Sequence, residues 1–153
     1  MPESGTKPAV LFVCSKNGGK SQLAAALLKQ RAGDTVTVLS AGTTPGTSLN
    51  AESVESLAEL GIDISHERPK PVTDAAIDAA DVVVILGTEA KVEPREGKRS
   101  EVWETDEPSQ RGIQGMERMR LVRDDIRGRV EVLYAALGPG HAGPSTPAAD
   151  APG

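Results

Sequence analysis

The stretch Val10-Leu11-Phe12-Val13-Cys14-Ser15-Lys16-Asn17-Gly18-Gly19-Lys20-Ser21 constrains this chain more than any other. An apolar, β-prone run ends on the only cysteine in the sequence, a glycine-containing loop follows, and Lys20-Ser21 opens a helical pattern. A strand, a tight loop and a helix start aim successive backbone N–H groups and the positive end of a helix dipole at one place. That is a cradle for a tetrahedral oxyanion with a thiol at its base. A helix N-terminus and adjacent cations favour the thiolate form of such a cysteine.

The same alternation of strand and helix continues along the chain. A strand over 9–13 and a helix over 21–31, with Leu23, Leu27 and Leu28 apolar, form the first unit. The β-branched run 35–40 reads as a second strand, followed by a loop rich in Gly, Pro and Thr. A helix over 50–60 stops at Gly61, the segment 62–73 is irregular, and a short helix over 74–80 leads into the third strand, 81–86. That strand is continuously apolar after Asp81, as expected of a parallel strand covered on both faces. The segment 87–99 reads as a loop, and 101–103 as a weak fourth strand. The polar stretch 105–115 has no periodicity and reads as an active-site flap. A final helix over 114–137 carries Met116, Met119, Val122, Ile126, Val130 and Leu133 at helical spacing. A flexible start over 1–8, an α/β domain over 9–137 and a disordered tail over 138–153 complete the expected organisation. Strands that alternate with helices imply a parallel sheet with its ligand at the carboxyl ends of the strands.

Composition sets limits on partners. The 153 residues carry a net charge of -5, and Phe12, Trp103 and Tyr134 are the only aromatics, so no nucleic-acid surface is expected. Positive charge is local: residues 1–31 hold Lys7, Lys16, Lys20, Lys29 and Arg31 against Glu3 alone. One cysteine permits no internal disulfide, and no Cys/His cluster has metal-ligand spacing, so no metal and no bound cofactor are expected. No apolar run approaches membrane-spanning length and no basic-then-apolar leader opens the sequence, so a cytoplasmic protein without a membrane partner is expected.

Two loop motifs compete for residues 14–21. The nucleotide loop G-x-x-x-x-G-K-[ST] matches at Gly19-Lys20-Ser21 but has Cys14 where its first glycine belongs. The pattern C-x5-[RK]-S fits throughout. With the strand before it, Ser40-Ala41-Gly42-Thr43 after the second strand, and Trp103 before a late acidic-Pro pair, the chain resembles the low-molecular-weight tyrosine phosphatase superfamily. Asn17-Gly18-Gly19-Lys20-Ser21-Gln22, Pro69-Lys70 and Gly115-Met116-Glu117-Arg118-Met119-Arg120 are most similar to its mycothiol-dependent arsenate reductases. The resemblance implies a three-layer α/β sandwich around a four-stranded parallel sheet. It also implies transfer of arsenate onto mycothiol as co-substrate, with a mycoredoxin-like reductant releasing arsenite, in arsenic detoxification. The alternatives are a tyrosine phosphatase and a non-catalytic oxyanion-binding module.

Three departures from the phosphatase pattern carry chemical weight. Lys20 stands where that family has a forked arginine, which weakens the grip on a phosphoryl transition state. Glu107 stands before Pro108 where the family has its acidic Asp, with Asp106 beside it, and Lys16 replaces a glycine two residues after the nucleophile. Reduction of arsenic from +5 to +3 needs two electrons, so a chain with one thiol must draw on an outside thiol.

The expected catalytic set is therefore Cys14, Lys20 and Ser21, with a general acid at Glu107 or Asp106. Ser15, Lys16, Asn17, Gly18, Gly19 and Lys70 are the expected substrate-binding residues. For Ser21 a plain helix cap is the competing role, and for Asn17 a turn. His66 and His141 are poor base candidates, and Arg118 and Arg120 read as facing solvent or pairing with carboxylates.

Overall fold

The computed structural model describes residues 7–87, 90–93 and 98–137. Their elements are β1 (Ala9–Cys14), α1 (Lys20–Ala32), β2 (Thr37–Gly42), α2 (Ala51–Ala58), α3 (Asp74–Ala79), β3 (Val82–Leu86), β4 (Arg99–Trp103), a 3-10 turn (Pro108–Arg111) and α4 (Gly115–Leu137). The four strands form one parallel sheet in the order β2-β1-β3-β4. This is the expected architecture. The expected terminal segments fall outside the described residues except for Lys7 and Pro8, and Pro8 already accepts from Thr37 N at 2.9 Å.

The period of two along β1 divides the core. Val10, Phe12 and Cys14 face one layer with α1, α2 and α4, while Leu11 and Val13 face the other with Ile77 and Ala80 at α3. Phe12 packs on Trp103 with ring centroids 5.8 Å apart. Helix α1 is buried almost all round from Ser21 to Leu28, because α4 and α2 cover the side turned from the sheet. Its three alanines, Ala24 to Ala26, allow that close approach.

Several boundaries differ from the sequence reading for local reasons. β2 begins two residues late, since the Thr35 hydroxyl still donates to Ala32 O at 2.6 Å and closes the turn after α1. β4 starts two residues early, at Arg99, because its ladder is set by pairing with β3, Val82 opposite Arg99. The flap contains a 3-10 turn, with Glu107 capping it through Ser109 N at 3.3 Å. On α4 the core face carries Met119, Val122, Ile126, Val130 and Leu133, whereas Met116 is only half buried and Arg123 is buried among them. No described helix is long and apolar enough to cross a membrane.

From β1 the chain crosses to β2 on one side, and from β2 it returns to β3 on the other. The carboxyl end of β1 is thus the switch point of the sheet, where loops diverge and open a crevice. Cys14 is the last residue of β1.

Candidate active site

The loop after β1 is organised by its carbonyl groups. Cys14 O accepts from Thr43 N at 3.1 Å, Ser15 O from Thr44 N at 2.8 Å and Lys16 O from Gly46 N at 3.0 Å. Gly18 O accepts from Asn50 N at 2.7 Å and Gly19 O from Leu23 N at 2.9 Å. Asn17 O is held by the side-chain Nε2 of Gln22 at 3.1 Å. In a trans peptide the N–H lies opposite the carbonyl, so pinning carbonyls on the outside turns N–H groups of residues 15–20 towards the inside. Gly42 is the floor of this turn. A Cβ there would stand 2.7 Å from Ser15 O and 2.9 Å from Asn17 N, so no side chain fits.

Donors converge on the sulfur. Asn17 N–H donates to Cys14 Sγ at 3.2 Å, and Ser21 Oγ lies 3.0 Å from Sγ. Lys70 N–H donates to Asn17 Oδ1 at 2.8 Å, which fixes that atom as the oxygen and makes Nδ2 the donor to Ser21 Oγ at 2.7 Å. The Ser21 hydroxyl hydrogen is then left to point at Sγ. Asn17 is buried and has φ 57, the left-handed region that Asn enters more readily than most residues. The N-cap of α1 is Gly19, with no side-chain cap and no acidic residue in the first turn, so the helix dipole is left for an anion.

A cleft of about 720 Å³ opens above the thiol, lined by Cys14, Ser15, Lys16 and Lys20 from one side, Leu86 and Gly87 at the end of β3, and Glu104 with Thr105, Asp106, Glu107 and Gln110 of the flap. The sequence-predicted residues lie in different parts of this site, with Gly19 at the helix cap. Cys14, Ser15, Lys16, Lys20, Asp106 and Glu107 share the cleft, while Ser21 and Asn17 lie beneath it. Gly18 packs against 48–50. Lys70 is the correction: it joins the site through its backbone N–H, and its Nζ turns away to Arg68 O at 3.1 Å and Glu67 at 3.8 Å.

Both flap carboxylates are held in the ionised form by an arginine. Arg118 grips Glu107 with two hydrogen bonds, 2.7 and 2.9 Å, and with Ser109 holds its pKa down to about 2 against the opposing effect of burial. Arg111 pairs with Asp106 in the same forked way at 2.7 and 3.1 Å and lowers its pKa. Sequence reasoning met Gln22 and Gly42 only as motif residues, with no role at the site, and did not reach Arg111. Only Gly42, a glycine where β2 enters its loop, carried a local signal.

A family model described as "Low molecular weight phosphotyrosine protein phosphatase" matches residues 9–140. The chain belongs to this family. It is 32% identical over 132 residues to arsenate reductase 1 of Staphylococcus epidermidis, covering 83% of this chain and 96% of that protein. It is 30% identical over 131 residues to the glutaredoxin arsenate reductase of Synechocystis, covering 84% of this chain and 97% of the relative. Among solved structures, the thioredoxin-dependent arsenate reductase of Corynebacterium glutamicum superposes with a TM-score of 0.75 at 34% identity over 88% of this chain. This chain spans only 63% of that protein's length. An arsenate reductase in a phosphate-binding state gives a TM-score of 0.75 at 29% identity, covering 86% of this chain and 99% of its own.

Proposed function

We propose that this chain is an arsenate reductase that joins arsenate to a low-molecular-weight thiol, mycothiol, with Cys14 as its reactive group and a mycoredoxin-like protein as final reductant. The observation that carries this reading is the convergence of Asn17 N–H and Ser21 Oγ on the only thiol in the sequence, beneath a cleft lined by Lys16 and Lys20. The similarity to arsenate reductases supports the choice of oxyanion. N–H groups of residues 15–20 hold the arsenate oxygens with Lys20 and Lys16, and such preorganised donors lower a barrier because they do not reorganise as charge moves.

The chemistry balances with two thiols. A thiolate displaces one arsenate oxygen, which leaves as water, and the new As–S bond keeps arsenic at +5. A second thiol attacks that sulfur, the bonding pair stays on arsenic, and arsenite departs with a disulfide. Both thiols cannot come from this chain, which has one cysteine. The proton lost by the incoming thiol must reach the departing oxygen, and a carboxylate that starts ionised relays it. Asp106 suits this role better than Glu107, because its partner Arg111 is half exposed and a surface pair opens cheaply.

Arsenate, mycothiol and its redoxin should yield arsenite with two thiols oxidised per arsenite, and Cys14→Ser should abolish it; arsenite without added thiol would overturn the reading. A panel of small thiols tests the choice of mycothiol. Family membership favours one second reading, phosphoester hydrolysis. Aryl-phosphate turnover should be poor and should rise in Lys20→Arg, since the fork binds the phosphoryl group at two points.

A further inference from the structure

Six successive carbonyls, Cys14 to Gly19, are held on the outer side of the loop. Five of their donors are backbone N–H groups, which no substitution short of proline removes. The sixth, on Asn17, is a side chain. Gln22 Nε2 lies 3.1 Å from Asn17 O, 3.2 Å from Asn17 Oδ1 and 3.4 Å from Arg68 O. Three surrounding oxygens identify that atom as the nitrogen, and Gln22 is only 2% exposed. The peptide it orients lies between a left-handed Asn17 and Gly18, which has no Cβ to restrict its backbone.

We infer that Gln22 is a positioning residue for oxyanion binding: by holding Asn17 O outward it fixes the Gly18 N–H on the inner side of the loop as an anion donor. This rests on the reading of the loop as the oxyanion site. Ser21 and Gln22, consecutive on α1, divide the work on Asn17. Ser21 Oγ accepts from its side-chain amide, and Gln22 holds its main-chain carbonyl. Without Gln22 the 17–18 peptide can rotate and present an oxygen, not an N–H, to an incoming anion. Arsenate binding then weakens while the Asn17 N–H, set by Lys16 O on Gly46 N, still faces Sγ.

The test is the protection of Cys14 from iodoacetamide by arsenate and by inorganic phosphate, which needs no thiol and no turnover and so stands apart from the reductase assay. In Gln22→Met the concentration giving half protection should rise about tenfold, the scale of one lost hydrogen bond to a charged acceptor. The unprotected alkylation rate should change less than threefold. Gln22→Glu, equal in size but facing Asn17 O with a carboxylate, should bind anions more weakly still. Where turnover is measurable, KM for arsenate should rise and kcat stay within threefold, a split that general destabilisation does not produce. Half protection within twofold of wild type in a folded Gln22→Met protein overturns the assignment. Wild-type protein gives an independent reading by NMR: the Gln22 side-chain amide protons should exchange slowly and the Gly18 N–H should shift on adding phosphate. Rapid exchange of those protons, or an unmoved Gly18 N–H with phosphate bound, also overturns it.

Discussion

Asn17 is the one described non-glycine residue with positive φ, and every polar group it has is engaged: its N–H with Cys14 Sγ, Nδ2 with Ser21 Oγ, Oδ1 with Lys70 N, and O with Gln22. A backbone strain of about 1 kcal/mol or more persists only where the surroundings over-determine it. Four partners do so here. The two flap acids differ in the opposite sense. Glu107 is tied to the partly buried Arg118 and to the 3-10 turn, whereas the arginine on Asp106 is the half-exposed Arg111. Asp106→Asn should therefore lower kcat for arsenate by about 100-fold, within the usual range for proton-transfer groups. Glu107→Gln should lower kcat by less than about tenfold but loosen the flap, raising proteolysis at 105–113. Steady-state kinetics and limited proteolysis check the pair, and a larger kcat loss in Glu107→Gln would reverse the assignment.

The loop is as much a product of β2 as of β1. Register places Cys14 beside Gly42, and the chain after Gly42 supplies N–H groups to the loop carbonyls. Gly42→Ala would set a methyl 2.7 to 2.9 Å from three backbone atoms that no side-chain rotation can move. The cost should be about 1–3 kcal/mol, as for overpacking. A chemical melt should show it, together with Cys14 alkylation that arsenate no longer blocks; a stability within about 0.5 kcal/mol of wild type, the spread of an indifferent surface substitution, would refute the clash. What could be read from sequence follows the same division. The buried strands β1 and β3, the loop and the amphipathic α4 rest on local pattern, so the placement of Cys14, Lys20 and Ser21 around one turn was legible. Gln22 bonding to Arg68 O and Lys70 N reaching Asn17 join positions 46 and 53 residues apart, and no spacing rule reports such pairings. For Lys70 the charge is visible in the sequence, while the backbone N–H that serves the loop is not.

At the scale of the molecule, α4 is the strut to which the flap and α2 are both fastened. Arg118 holds Glu107 of the flap, while Arg120 and the buried Arg123 hold Glu59 just after α2, with Arg123 also donating to Ser56 O at 2.8 Å. Hydrogen bonds from Arg120 and then Arg123 lower the Glu59 pKa to about 2, and Arg118 does the same for Glu107. Both depart from an ordinary value of 4.5, so the folded state releases these protons more readily than the unfolded chain. Their contribution to stability is complete above pH 4.5 and is lost as pH falls towards 2. Thermal midpoints of the wild type should accordingly hold steady at neutral pH and decline through that window. Glu59→Gln should start lower at pH 7 and decline less steeply, so that the two curves draw together near pH 2. Parallel curves would mean that Glu59 is no more ionised in the folded chain than in the unfolded one, and that the joint between α2 and α4 is held by packing around Leu57 and Ile126 instead of by charge.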